Sequence, residues 1–305
     1  MTYAMTVLGK KTVETLGCIY AHEHLLVKPA GADLKYADYT LDDIEKSTHE
    51  VIDYYSAGGG TIVEMTPINY GRNVIGYKNM AKKTKVNIIC TTGFHKEEFL
   101  PEWFDMKNDD EIIKIIVDEI RYGIDDTDIH PGVIKCGTSY NQITKREKRV
   151  FKIISEVHQY TGLPISTHCD KGTMGIEQTN LLLSLGISPE KILLCHIDSQ
   201  ENFDYAVELC QKGVNICFDH VGRNLTDSDD LRINMLTNLF RNGCGGQIML
   251  AGDMGKKNYL SSYGGKPGLT YILKVLKPKL EKKIGIDGVR KILIENPQHF
   301  FGYIS

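Results

Sequence analysis

His22 and His24 close a short apolar run, CIYAHEH, with a single residue between them. On a strand, residues i and i+2 share a face, so the two imidazoles would project side by side. Imidazole is the commonest metal ligand, and two on one strand face make half of a cation site. Two hydrogen-bonded histidines near a strand end would give the same spacing, so other runs have to decide. LPISTH ends in His168, KILLCH in His196 and QIMLAGD in Asp253, while GVIKCGT carries Lys135. Each short β-branched run thus delivers a metal-competent or potentially metal-competent side chain near its C-terminal end.

The elements that must position these residues alternate along the whole chain. Strands are expected at 17–24, 61–66, 86–92, 132–138, 163–168, 191–196, 213–219 and 247–253. Amphipathic stretches lie between them. The first runs from 40 to 59 with Thr40 as N-cap and glycine at its close. Another, at 109–123, aligns Ile112, Ile113, Ile116, Val117 and Ile120 on one stripe, and 144–162 repeats the scheme. Further helices fit 74–83, 172–185, 202–212, 227–242, 268–280 and about 287–303. Repeated β–α units with strands apolar on both faces predict an α/β fold, a single-domain (β/α)8 TIM barrel over 1–305. All strand C-termini of such a barrel open onto one mouth, where His22, His24, Lys135, His168, His196 and Asp253 would meet. Their joint placement is hard to explain by packing and favours a metal site.

Composition narrows the class. Of 305 residues, 42% are hydrophobic and 25% charged, an ordinary globular balance. A net charge of −3 gives no electrostatic reason to expect nucleic acid. No apolar run approaches the ~20 residues needed to span a bilayer, and the N-terminal residues lack a signal-peptide core. A cytoplasmic protein with no membrane partner is expected. The 8 cysteines include no CxxC pair and mostly sit in apolar runs, as reduced core thiols would. Cys136, Cys169 and Cys195 each neighbour a candidate ligand, so alternation predicts that they face the layer between barrel and helices.

Lys135 is the odd residue. An ammonium among valine, isoleucine and cysteine is costly unless paired, and burial pushes its pKa down. It could pair with a carboxylate, act as a Schiff-base nucleophile, or react as the neutral amine with carbon dioxide. The resulting carbamate would have two oxygens with which to bridge two divalent cations.

HxH on the first strand, lysine on the fourth, single histidines on the fifth and sixth and aspartate on the eighth resemble the phosphotriesterase family of the amidohydrolase superfamily. The resemblance extends through LAGDMG to the closing ENPQHFF. It implies a binuclear metal-dependent hydrolase at the C-terminal ends of the strands. Lys135 would be carbamylated by carbon dioxide and bridge two divalent ions, with zinc first and manganese, cobalt or iron as alternatives. His22, His24, His168, His196 and Asp253 would complete the ligand set. A hydroxide held between the ions would attack, and Asp253 would pass its proton to the leaving oxygen. A deaminase reading is weaker, because His168 is followed by Cys-Asp-Lys-Gly rather than by a nearby glutamate.

The loops bear on the substrate. MGKKNYLSSYGGKPG, after the last strand, carries Lys256, Lys257 and Tyr263; Arg223 follows the seventh strand and Lys28 the first. Phosphates in barrels are often held by the loops after strands seven and eight, and glycines admit backbone amides to an anion. Taken singly, each cation reads as a solvated surface residue. The loop resembles that of the family's lactonase branch, which implies a phosphorylated sugar lactone as the anionic small-molecule substrate. A promiscuous carboxylic-ester or organophosphate hydrolase is the alternative, and a non-catalytic metal-binding scaffold ranks lower. Gly93-Phe94-His95 replaces the tyrosine that acyl-homoserine-lactone relatives carry. His95 and His220 are read either as contacts to substrate hydroxyls or as hydrogen-bonded rim residues. His49, His130, His158 and His299 are expected to be structural. Dimers are common in the family, so a homodimer is the expected assembly if chains associate.

Overall fold

The computed structural model describes residues 1–29, 35–223 and 228–304. Its strands are β1 (Thr2–Thr6), β2 (Gly9–Thr12), β3 (Cys18–Glu23), β4 (Gly59–Glu64), β5 (Asn87–Gly93), β6 (Val133–Thr138), β7 (Ile165–Cys169), β8 (Ile192–Cys195), β9 (Asn215–Phe218), β10 (Ile248–Leu250) and β11 (Tyr303–Ile304). Strands β3 to β10 form one eight-stranded sheet whose spatial order follows the sequence, each pair parallel. The Asp253 N–H donates to the His22 carbonyl at 3.2 Å and ties the last strand's exit back to the first strand, so the sheet is a nearly closed barrel. The expected TIM-barrel architecture is what the chain adopts.

Helices α1 (Ile44–Ser56), α2 (Val74–Thr84), α3 (Asp109–Tyr122), α4 (Lys145–Thr161), α5 (Gly175–Ser184), α6 (Phe203–Gln211) and α7 (Ser228–Arg241) alternate with the strands. The expected α7 span began at residue 227, which lies outside the described residues. Local chemistry sets the ends. Asn108 and Thr144 each form a reciprocal capping box, with Glu111 and Glu147 respectively. At α1 the N-cap is Asp43, not Thr40: its carboxylate takes the Lys46 N–H at 3.1 Å, and the helix begins a turn later than expected. One π-helical turn leads into α8 (Lys277–Arg290) and another joins it to α9 (Asn296–Phe301), and Gly285, at φ 78°, breaks α8.

One element was not anticipated. Strands β1 and β2 form a hairpin around Val7-Leu8, and β11 adds to the other edge of β1, so both ends of the described chain meet in one small sheet. Strand residues such as Ile19, Ile62, Ile88, Ile134, Ile165, Leu193 and Ile216, all buried, belong to one hydrophobic core shared by the barrel and its helices. All eight cysteines are free. Among the described residues no helix is long and apolar enough to cross a membrane.

Candidate metal centre

A cavity of about 620 Å³ opens at the C-terminal mouth of the barrel. His22, His24, Lys135, His168, His196 and Asp253 all line it. Three of them, His24, His196 and Asp253, stand past the ends of their strands. His196 and Asp253 follow their strands with positive φ, 65° and 43°, and this left-handed turn brings the side chains over the mouth.

Two donor groups result. His22 Nε2 and His24 Nε2 approach Asp253 Oδ1 at 3.6 and 3.3 Å, and these three residues form a compact set of potential ligands. On the other side, His168 Nδ1 and His196 Nε2 lie 2.7 Å apart. Lys135 is 1% exposed, donates to the Met65 carbonyl at 2.8 Å, and electrostatically influences both His22 and His168. Burial pushes its amine below the ordinary lysine range, only partly countered by Asp253 and its other anionic neighbours. Burial likewise holds the His168, His95 and His220 imidazoles well below their usual range, leaving them neutral. Burial opposes ionisation of Asp253, yet the Arg223 guanidinium and the nearby histidines hold its carboxyl well below the carboxylate range. Imidazoles, a carboxylate and a deprotonatable amine, converging from opposite walls, are a donor set that suits divalent cations.

The histidines are held from behind by residues that the motif reading overlooked. Asp219, fully buried, accepts from the His196 N–H at 2.9 Å and contacts His196 Nδ1 at 2.8 Å and His22 Nδ1 at 3.2 Å. One carboxylate therefore orients an imidazole from each donor group. His24 Nδ1 meets Thr66 Oγ1 at 2.8 Å, and that hydroxyl donates to Glu64 at 2.7 Å. Glu23 accepts the N–H groups of Gly252 and Met254 at 2.6 and 2.9 Å, which fixes the turn carrying Asp253. The signal for Asp219 was present in the sequence: it ends the apolar run GVNICFD as His168 ends LPISTH.

The cysteine expectation needs a correction. Cys136 pairs in register with Thr167, whose hydroxyl bonds Gln178 on α5, so that row faces outward as expected. Cys195, however, pairs with the inward-facing His168 and contacts Ser166 Oγ at 3.3 Å. It points into the barrel close to His22 and Asp219. Alternation failed because the left-handed turn at His196 lets two successive side chains serve the interior.

The loop residues divide. Arg223 and Lys256 line the cavity, as does His95. Arg223 pairs with Asp253, donates to the Gly252 carbonyl at 3.0 Å and lies 5.1 Å from the Tyr259 ring centre. Lys256 sits 4.4 Å from the Tyr39 ring centre and 5.6 Å from that of Tyr259. Three expected contacts lie off the cavity wall. Lys28, 57% exposed, pairs with Asp42 at 3.7 Å. Lys257 opens a short 3-10 turn, and the Tyr263 hydroxyl bonds Ser47 and the Asp43 carbonyl at 2.8 and 2.9 Å, fastening the loop to α1. His95 Nδ1 accepts the Lys96 N–H at 2.7 Å, leaving Nε2–H as its donor. His220 stacks on His196 and meets Ser199 Oγ at 2.7 Å. His130 and His158 bond backbone carbonyls away from the cavity.

The phosphotriesterase family profile matches residues 3–301. This chain belongs to the phosphotriesterase family. A phosphotriesterase homology protein of Escherichia coli (strain K12) is 33% identical over 287 residues, 93% of this chain and 98% of the relative. A phospho-furanose lactonase of Mycoplasmopsis agalactiae is 32% identical over 325 residues, 99% and 92% of the two chains. The crystal structure of a lactonase from Listeria monocytogenes superimposes with a TM-score of 0.95 at 30% identity, covering 99% of this chain and 100% of that one. Like the rest of the phosphotriesterase family, this chain is a metal-dependent hydrolase acting on small molecules.

Proposed function

We propose that the protein opens a phosphorylated sugar lactone at a binuclear centre. His22, His24 and Asp253 would hold one divalent ion, and His168 and His196 the other, with Lys135 bridging as a carbamate. Zinc suits these nitrogen and oxygen donors, and manganese, cobalt or iron would be accommodated too. When bound, the ions would polarise the lactone carbonyl and supply a hydroxide nucleophile at neutral pH. The chain's own part is positional and protonic. Asp219 fixes two imidazoles, burial keeps Lys135 able to react as a neutral amine, and Asp253, ionised, takes the proton released in the attack and returns it to the leaving alkoxide.

The observation that carries the substrate choice is the wall formed by Arg223, Lys256, Tyr39 and Tyr259. It places two cations on tyrosine faces at the edge of the metal cluster. Such a wall suits an anion and has no use for a neutral triester. Similarity to a phospho-furanose lactonase supports the same reading. The test is a side-by-side assay of a phosphorylated and an unphosphorylated aldonolactone with metal-loaded enzyme. A strong preference for the phosphorylated form is expected; equal kcat/KM values would defeat the anion reading. Lys256→Ala should raise KM about 10-fold for the phosphorylated substrate alone, and a loss confined to kcat would assign Lys256 a different role.

A cytoplasmic location and a single domain over 1–305 belong to the same proposal. Eight free cysteines suit a reducing compartment, and the pairing of β1 with β11 holds the chain's two ends in one unit.

A further inference from the structure

The cavity has a second charged wall, in which cations are paired with carboxylates. Lys96, just past β5, and Asp170, just past β7, form an ion pair of 2.7 Å between their loops; each is 19% exposed, and both line the cavity. Glu98 lies 3.8 Å from the same Lys96 amine and also lines the cavity. The lysine therefore faces two carboxylates, and Lys35, paired with the same Glu98, and Lys171, next to Asp170, complete a wall of interleaved charges. The Lys256 amine, by contrast, rests on the rings of Tyr39 and Tyr259. Between the walls lie the metal-ligand candidates, with the His95 and His168 rings tilted against each other 4.5 Å apart, one residue before Lys96 and two before Asp170 in sequence.

A dianionic phosphate would meet the Asp170 and Glu98 carboxylates beside Lys96, whereas the Lys256 amine rests on tyrosine rings and is open to an anion. A carboxylate and an ammonium held side by side are what a sugar hydroxyl needs, since it donates to one and accepts from the other. We propose that Lys96 and Asp170 are specificity-determining residues that read a ring hydroxyl of the lactone, while its phosphate lies on the opposite wall. This rests on the phosphorylated-lactone reading and deepens it. It requires a polyhydroxylated ring, not merely an anionic lactone, and it orients the substrate across the metal cluster.

The experiment compares a phosphorylated pentono-1,4-lactone with its 2-deoxy and 3-deoxy analogues, using wild-type enzyme, Asp170→Asn and Lys96→Met, all metal-loaded. Wild type should lose about 10- to 100-fold in kcat/KM on one of the deoxy analogues, as expected when a hydrogen bond to a charged group is removed. Asp170→Asn should lose a similar factor on the parent lactone, yet differ from wild type by less than about threefold on that same analogue. Equal losses for Asp170→Asn on parent and deoxy substrates would assign the ion pair to loop structure and overturn the inference. So would a wild type indifferent to every ring hydroxyl, a result that needs no variant to fold. A Lys96→Met defect that follows the phosphate rather than a hydroxyl would move Lys96 to anion binding and also overturn it. Failure of wild type to open any phosphorylated lactone is a separate outcome, striking the functional reading itself.

Discussion

At the scale of single residues, the centre turns on Lys135. A buried lysine amine ordinarily costs free energy, and here burial lowers its proton affinity instead of the structure supplying a carboxylate in contact. Lys135→Ala should reduce bound metal from about two ions per chain and cut kcat by about 10²- to 10³-fold, with part of the activity restored by a short-chain carboxylic acid that replaces the carbamate oxygens. Metal analysis checks this, and full occupancy in the variant would contradict a bridging role. The pH dependence has a definite sign. Carbamylation consumes the neutral amine, so reconstitution of metal-free protein with bicarbonate and metal should speed up as pH rises. Because burial lowers the amine pKa, the rate should level off below the ordinary lysine value of about 10.4. A rate that keeps climbing through that value would mean that Lys135 is not the reacting amine. Asp219→Asn should leave the fold intact but weaken metal binding about 10- to 100-fold, because both His22 and His196 lose their anionic partner. A competition titration with a chromophoric chelator measures this, and unchanged affinity would reduce Asp219 to a packing residue.

At the scale of elements, the strands were legible because burial on both faces imposes long β-branched runs, and their spacing required a barrel. His22 and His24 were legible as a pair through the two-residue period, and their rings do lie 5.5 Å apart. What the pattern could not carry was backbone conformation past a strand end. Positive φ at His196 and Asp253 reverses the facing that alternation assigns, and this is why Cys195 sits inside the barrel. Tyr263 looked like a loop ligand by position, but its hydroxyl finds closer partners on α1, a long-range contact that spacing cannot show. The turn carrying Asp253 depends on Glu23, whose two carboxylate oxygens take N–H groups from either side of it. Removing that acceptor by Glu23→Ala should cost about 1–3 kcal/mol for each N–H left unpaired. Urea unfolding of the metal-free protein checks the cost without involving the ions. A shift below about 1 kcal/mol would show that the turn holds itself.

For the whole molecule, the metal centre joins strands at opposite ends of the sheet order. Its candidate ligands lie on or just past β3 and β10, which meet at the barrel seam, and β6, β7 and β8, across the mouth from β3. The seam is also where the barrel is least tightly laced, because β10 spans only Ile248–Leu250 and is followed by the hydrogen bond from Asp253 to His22. Cations gripped by both sides would therefore close the barrel as well as catalyse. Binding to the native state alone adds RT ln(1 + [L]/Kd), about 2.7 kcal/mol for each ion supplied at about 100 times its Kd. For a chain somewhat larger than 250 residues, each kcal/mol moves Tm by about 2 °C. Stripping two ions should thus lower Tm by about 10 °C, and re-addition of zinc should restore it. Hydrogen exchange localises the effect. Amides of β3, β10 and the Asp253 turn should lose protection in the stripped protein, while the hairpin β1–β2, packed with β11 away from the cavity, should not change. Loss of protection spread evenly over the chain would show the ions stabilising the fold as a whole, and the idea of a metal-closed seam would fail.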